Sequence, residues 1–169
     1  VYIMQNISDA SLQAKIIQVA ETLNKKHLML ATAESCTGGW VAKCCTDLAG
    51  SSSWFERGFV TYSNQAKHDQ LGVKLASLDQ YGAVSQSVAE EMAIGTLRHS
   101  KADISVSLTG IAGPGGGTEN KPVGTVWIAW ASQRDKVSSQ LFQFDGDRES
   151  VRRQAVLAAL SGIIKNARD

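Results

Sequence analysis

Side chains able to do acyl-transfer chemistry stand in short, separate stretches of this chain. Ser35, Cys36 and Thr37 share one polar turn, Glu34-Ser35-Cys36-Thr37-Gly38-Gly39, with an apolar run before it and an amphipathic run opening at Trp40 after it. The order strand, turn, helix places two hydroxyls and a thiol at a helix start, beside glycines whose backbone can be approached closely. A serine hydroxyl is a poor nucleophile until a base takes its proton. The three histidines, His27, His68 and His99, lie in stretches that read as helix surfaces or ends, and no Gly-x-Ser-x-Gly elbow occurs. Lys67 is the alternative base. Ser63-Asn64 can cap a short helix; if Asn64 is the N-cap, Lys67 falls at the third helical position, where burial and the positive dipole end both favour a neutral amine. Tyr62 ends the strand before it and is placed to relay a proton or to hold the lysine. Cys36 is the rival nucleophile, since helix starts lower thiol pKa values. The competing structural role of Ser35 is plain helix capping.

Such a site needs donors for a developing oxyanion. The N–H groups of Cys36, Thr37, Gly38 and Gly39 are candidates. A second nest of N–H groups lies in the glycine-rich loop 109–118, which contains Thr109 and Gly110 and lacks the Gly-Lys-Ser/Thr of a Walker motif. Arg148, at the start of the last helix, offers a guanidinium for a phosphate, or is simply solvated.

The elements that must position these groups follow from periodicity. Leu12, Ile16, Val19, Ala20 and Leu23 form one face of a first helix capped by Ser8 or Asp9 and closed by His27. Residues 28–33 read as a strand covered on both faces. Trp40, Val41, Cys44, Cys45 and Leu48 face a second helix inward. A strand at 56–62 precedes the short helix carrying Lys67. Residues 74–82 read as polar and irregular, with room for one helical turn before Tyr81-Gly82, and Ser87 with Glu90 fits a capping box opening the next helix. Residues 104–108 alternate as a strand, 123–131 and 137–144 form a hairpin, and Asp147 caps a final helix that is apolar on nearly all sides. Strands alternating with helices, plus one late antiparallel hairpin, give an α/β layered domain with a mixed sheet. The turns at 34–39, 62–67 and 109–118 all follow strand ends, where open α/β sheets bind ligands.

Composition narrows the partners. A net charge of +1 with no Lys/Arg block gives no footprint for nucleic acid, and no apolar run approaches the roughly 20 residues that span a bilayer. Cys36, Cys44 and Cys45 match neither a disulfide framework nor zinc spacing, which points to free thiols, a cytoplasmic location and no metal. One domain over residues 1–169 is expected, with 1–7 as a partly flexible lead-in.

In order along nearly the whole chain, the sequence resembles the CinA C-terminal-domain family, and within it the stand-alone nicotinamide-nucleotide amidases. The resemblance rests on Thr32-Ala33-Glu34-Ser35-Cys36-Thr37-Gly38-Gly39, Gly50-Ser51-Ser52 with Phe55-Glu56-Arg57-Gly58, and Thr61-Tyr62-Ser63-Asn64-Gln65-Ala66-Lys67. It continues through Gly82-Ala83-Val84-Ser85, Thr109-Gly110-Ile111-Ala112-Gly113-Pro114, Lys121-Pro122-Val123-Gly124-Thr125-Val126, Gly146-Asp147-Arg148 and Val151-Arg152. It implies a three-layer α/β/α sandwich, commonly a homodimer, that deamidates nicotinamide mononucleotide to nicotinic acid mononucleotide and ammonia without a cofactor. Serine, tyrosine and lysine serve such sites, and these fall here on Ser35, Tyr62 and Lys67. Thr37, Gly38, Thr109, Gly110 and Arg148 match substrate positions, with Cys36, Gly39 and Asn64 beside them. The alternative reading is a catalytically silent paralogue acting as a nucleotide-binding or interaction module.

Overall fold

The structure is a computed structural model that describes residues 6–132 and 136–168. Most of the expected lead-in and the middle of the hairpin connection therefore lie outside the described residues. Chain order is α1 (Asp9–Lys26), β1 (Leu30–Glu34), α2 (Trp40–Asp47), a 3-10 turn (Ser51–Ser53), β2 (Phe55–Val60), α3 (Asn64–Leu71), α4 (Leu75–Tyr81), α5 (Gln86–Arg98), β3 (Ile104–Gly110), β4 (Thr125–Ser132), β5 (Lys136–Gln143) and α6 (Arg148–Arg168).

The sheet runs β2-β1-β3-β4-β5. β1 is parallel to both of its neighbours, whereas β3–β4 and β4–β5 are antiparallel. Helices α1, α2 and α6 cover one face over a core that includes Leu12, Ile16, Val41, Cys45, Val106, Ile128 and Leu160, and α3, α4 and α5 lie on the other. This is the three-layer α/β/α sandwich. Alternation in β3 does not mark a solvent face. Ser105 and Ser107 are buried, and their hydroxyls donate to Ala93 O and Ala89 O of α5 at 2.7 and 2.6 Å. Short side chains there let α5 approach the strand while both serine hydroxyls find a carbonyl.

Register sets the site. Glu34 pairs with Val60 on one side and Leu108 on the other, so β1 and β2 end level with one another and β3 runs two residues further. Two hydrogen bonds stitch the exits together: Ser35 N donates to Leu108 O at 3.1 Å and Thr61 N to Glu34 O at 2.9 Å. Ser35 and Tyr62 consequently lie just past strand ends at one carboxyl edge, beside Thr109 near the end of β3.

Several local expectations need correction. Residues 75–81 form a helix, α4, with Ser77 and Leu78 buried, because Ser77 and the Lys74 N–H are both tied to the Glu91 carboxylate of α5. The cap of α5 is Ser85, whose Oγ accepts from Val88 N at 3.3 Å; Glu90 instead accepts from Gln86 and from Ser139 of β5. The cap of α3 is Ser63, not Asn64. Ser63 has extended backbone and accepts from Ala66 N at 3.0 Å, which makes Asn64 the first helical residue and moves Lys67 to the fourth. At α1 the inward face is the predicted one residue for residue, with Ser8 as the cap and His27 left-handed at its end.

Candidate active site

Lys67 is the most unusual side chain in the molecule. It is 1% exposed, and its ammonium group reaches back from α3 to the sheet edge. Nζ stands 2.9 Å from Ser35 Oγ, 2.8 Å from Thr61 O and 3.1 Å from Tyr62 O. Three donors meet three acceptors, none of them a carboxylate. No carboxylate offsets the loss of hydration, and burial lowers its pKa from 10.5 to about 8, with Cys36 opposing the shift more weakly. In the neutral amine, two N–H bonds remain on the carbonyls of Thr61 and Tyr62. The lone pair is then left facing Ser35 Oγ, and the 2.9 Å contact runs in the opposite direction, from hydroxyl to amine. That is the geometry of a general base beside a nucleophile.

Ser35 is itself buried and follows β1 directly. A further contact from its hydroxyl to Tyr62 O is long, at 3.5 Å. The Tyr62 side chain is 67% exposed and makes no hydrogen bond among the described residues, so its contact with Lys67 runs through the main chain. Cys36 lies next in the turn, buried, with a thiol pushed up to about 11, chiefly by burial and then by the nearby Glu34 carboxylate. The thiolate-stabilising effect expected of the helix start is outweighed first by burial and then by an internal anion already held at that start.

That anion is Glu34, to which the sequence gives no visible role. Its buried carboxylate accepts from Val41 N at 2.8 Å, Ala42 N at 3.1 Å and Thr37 Oγ1 at 2.7 Å. The last residue of β1 thus caps α2 from inside the protein and satisfies donors that a helix start leaves open. Burial still outweighs these bonds and raises its pKa.

The turn between them has a second anchor. Arg152 of α6, half-buried, donates from Nε to Cys36 O at 3.0 Å and from Nη2 to Thr37 O at 3.2 Å, with its guanidinium 5.2 Å from the Trp40 ring centre. Within the turn, Gly38 N donates to Ser35 O and Trp40 N to Thr37 O. The N–H groups of Cys36 and Thr37 reach no carbonyl among the described residues. Gly38 and Gly39 both have positive φ, 62° and 99°, a conformation that glycine adopts without strain.

The remaining predicted residues are more scattered in role. Thr109 is buried, with its hydroxyl on Ala83 O at 2.8 Å. Gly110 is required by packing, since a Cβ there would lie 2.7 Å from Val126 Cγ2 and 2.9 Å from Thr125 O. Arg148 donates to Gly113 O of the glycine-rich loop at 2.8 Å. Asn64 sits at the start of α3, on the exposed side. The histidines serve main-chain roles: His68 and His99 bond Val73 O and Gly95 O, and His27 ends α1. A groove of about 770 Å³ lies on the α1/α2 side of the turn, lined by Gly38, Gly39, Trp40 and Arg152 among others, but by neither Ser35 nor Lys67. Among the described residues no three His, Cys, Asp or Glu side chains gather closely enough to hold a metal, and no helix is long and apolar enough to cross a membrane.

Fold and site together define a class: a three-layer α/β/α protein with a serine–lysine pair at the carboxyl edge of its parallel strands. The chain belongs to the CinA C-terminal domain family, which matches residues 12–167. It is 54% identical over 154 residues to the nicotinamide-nucleotide amidohydrolase PncC of Escherichia coli (strain K12), covering 91% of this chain and 93% of that protein. The protein of the same name from Pseudomonas putida is 51% identical over 148 residues, covering 88% and 92%. Among solved structures, the competence/damage inducible protein CihA of Agrobacterium tumefaciens superposes with a TM-score of 0.89 at 41% identity, over 91% of this chain and 94% of that one.

Proposed function

We propose that this protein hydrolyses the carboxamide of nicotinamide mononucleotide, giving nicotinic acid mononucleotide and ammonia, with Ser35 as nucleophile and Lys67 as general base. The observation that carries the chemistry is the 2.9 Å contact between Ser35 Oγ and a buried Lys67 amine that has no carboxylate partner. The substrate is drawn from the two relatives named as nicotinamide-nucleotide amidohydrolases, matched over more than nine-tenths of their lengths.

In this reading the neutral Lys67 amine takes the Ser35 proton as Oγ attacks the amide carbon. The resulting ammonium passes that proton to the departing nitrogen, which leaves as ammonia. A water molecule, deprotonated by the same amine, then attacks the ester on Ser35 and releases the acid, so one residue serves both half-reactions. Tyr62 contributes its carbonyl, which with Thr61 O fixes the rotation of the amine. Arg148 and the loop it anchors at Gly113 are the candidate contacts for the single phosphate of the substrate. A homodimer and a cytoplasmic location accompany this reading. The three cysteines, free and buried, support a reducing compartment.

The test is ammonia release from nicotinamide mononucleotide, compared with nicotinamide and its riboside. The expected result is turnover of the mononucleotide by the wild type and a loss of about 10³-fold or more in Ser35→Ala. Equal rates for the two proteins would refute the serine mechanism, and equal rates for all three compounds would refute a phosphate subsite.

A further inference from the structure

Both carbonyls on the residues after Ser35 converge on one guanidinium. A trans peptide is planar and points its N–H opposite to its C=O. With Cys36 O and Thr37 O drawn to Arg152 at 3.0 and 3.2 Å, the N–H groups of Thr37 and Gly38, which share those peptides, must point away from α6. Gly38 N illustrates this directly, because it donates back to Ser35 O at 3.1 Å. The Thr37 N–H points the same general way and reaches no carbonyl among the described residues. Glu34 does not capture it either: that carboxylate takes the Thr37 hydroxyl and the N–H groups of Val41 and Ala42. The turn is therefore held from two sides, by an anion on its helix donors and a cation on its carbonyls, which leaves the N–H groups of Cys36 and Thr37 beside the nucleophile, the second of them on a peptide whose carbonyl Arg152 holds.

We infer that Arg152 is a positioning residue: by holding the carbonyls of Cys36 and Thr37 against α6 it aims the Thr37 N–H at the oxygen of the amide that Ser35 attacks. The inference rests on the serine amidase reading given above. The guanidinium suits the task because Nε and Nη2 form a rigid planar fork that engages two carbonyls at once, and it lies over the Trp40 ring at 5.2 Å from the centre. An ammonium presents no such fork. The donor is a main-chain group that only proline would remove, at the cost of fixing φ in the turn, so its aim is tested more cleanly through the residue that sets it.

The experiment compares wild type, Arg152→Lys, Arg152→Ala and Ser35→Ala in ammonia release from nicotinamide mononucleotide, with kcat, KM and their pH dependence measured separately. Loss of an aimed oxyanion donor lowers kcat about 10- to 100-fold and leaves KM within about twofold, because the donor acts on charge that develops only in the transition state. Guanidinium chloride at low, non-denaturing concentration restores part of kcat in Arg152→Ala and none in Arg152→Lys, whose side chain still fills the site. The pH midpoint set by Lys67 stays where it is, since Arg152 makes no contact with that amine. A wild-type kcat in Arg152→Ala, with Ser35→Ala inactive, would overturn the inference and leave the serine mechanism standing. A loss that guanidinium does not rescue and that moves the pH midpoint would overturn it too, by showing general damage to the site. Full activity in Ser35→Ala would remove the mechanism and the inference together.

Discussion

Replacing Lys67 with Met is expected to lower ammonia release by about 10³-fold or more, and to change how stability depends on pH. For activity, the wild-type kcat/KM is expected to rise tenfold per pH unit below about 8 and to level off above it, because only the neutral amine can accept the Ser35 proton. For stability, the sign follows from where the proton sits. Between pH 8 and 10.5 the unfolded chain holds a proton on Lys67 that the folded protein has released, so stability rises with pH across that window. Below pH 8 both states carry the proton, and the burial of the ammonium is fully felt. Denaturant unfolding of wild type and Lys67→Met at pH 7.5 and 9.5 isolates this group. The stability of the wild type relative to the variant is expected to improve by about 2 kcal/mol between the two conditions. No change in that difference would mean the lysine does not titrate as a buried amine.

Glu34→Ala carries the largest expected loss of stability. It strips acceptors from Val41 N, Ala42 N and the Thr37 hydroxyl at a buried helix start, and uncaps α2 at its dipole's positive end. The expected cost is about 3 kcal/mol in denaturant unfolding, as for other buried polar networks broken on one side. Because Thr37 and the turn move with it, kcat is expected to fall even in the fraction that remains folded. Glu34→Gln keeps one acceptor oxygen and is expected to fall between the two. A Glu34→Ala protein within about 0.5 kcal/mol of wild type would show that water replaces the carboxylate and that the cap is dispensable.

Contrast between residues explains what could be read in advance. The inward face of α1 and the strand–turn–helix around Ser35 were legible because each is written in local periodicity and turn chemistry. Lys67 is legible as an anomaly, a cation at a helix start, although its exact position is not: Ser63 and Asn64 are both good caps, and only the extended backbone at Ser63 decides between them. Glu34 was not legible, because an acidic residue ending a strand looks like surface until α2 is folded over it. Arg152 was not either. Its partners lie more than a hundred residues earlier in the chain, a separation that leaves no local signal, while Arg148 one helical turn before it drew attention as the first residue of α6. The raised thiol of Cys36 is hidden from the sequence for a different reason. Its thiol pKa depends on burial and on Glu34, neither visible from position alone. Residues 74–82 read as irregular because α4 gets its support from Glu91 of α5 rather than from its own sequence.

The most direct measurement is to stop the wild-type reaction with acid at short times and map the attached acyl group by mass spectrometry. The expected result is the nicotinic acid mononucleotide acyl group in ester linkage on the peptide containing Ser35, formed in step with the first equivalent of ammonia. An acyl group found on Cys36, or ammonia released while the Ser35 peptide stays unmodified at every quench time, would contradict the serine–lysine account.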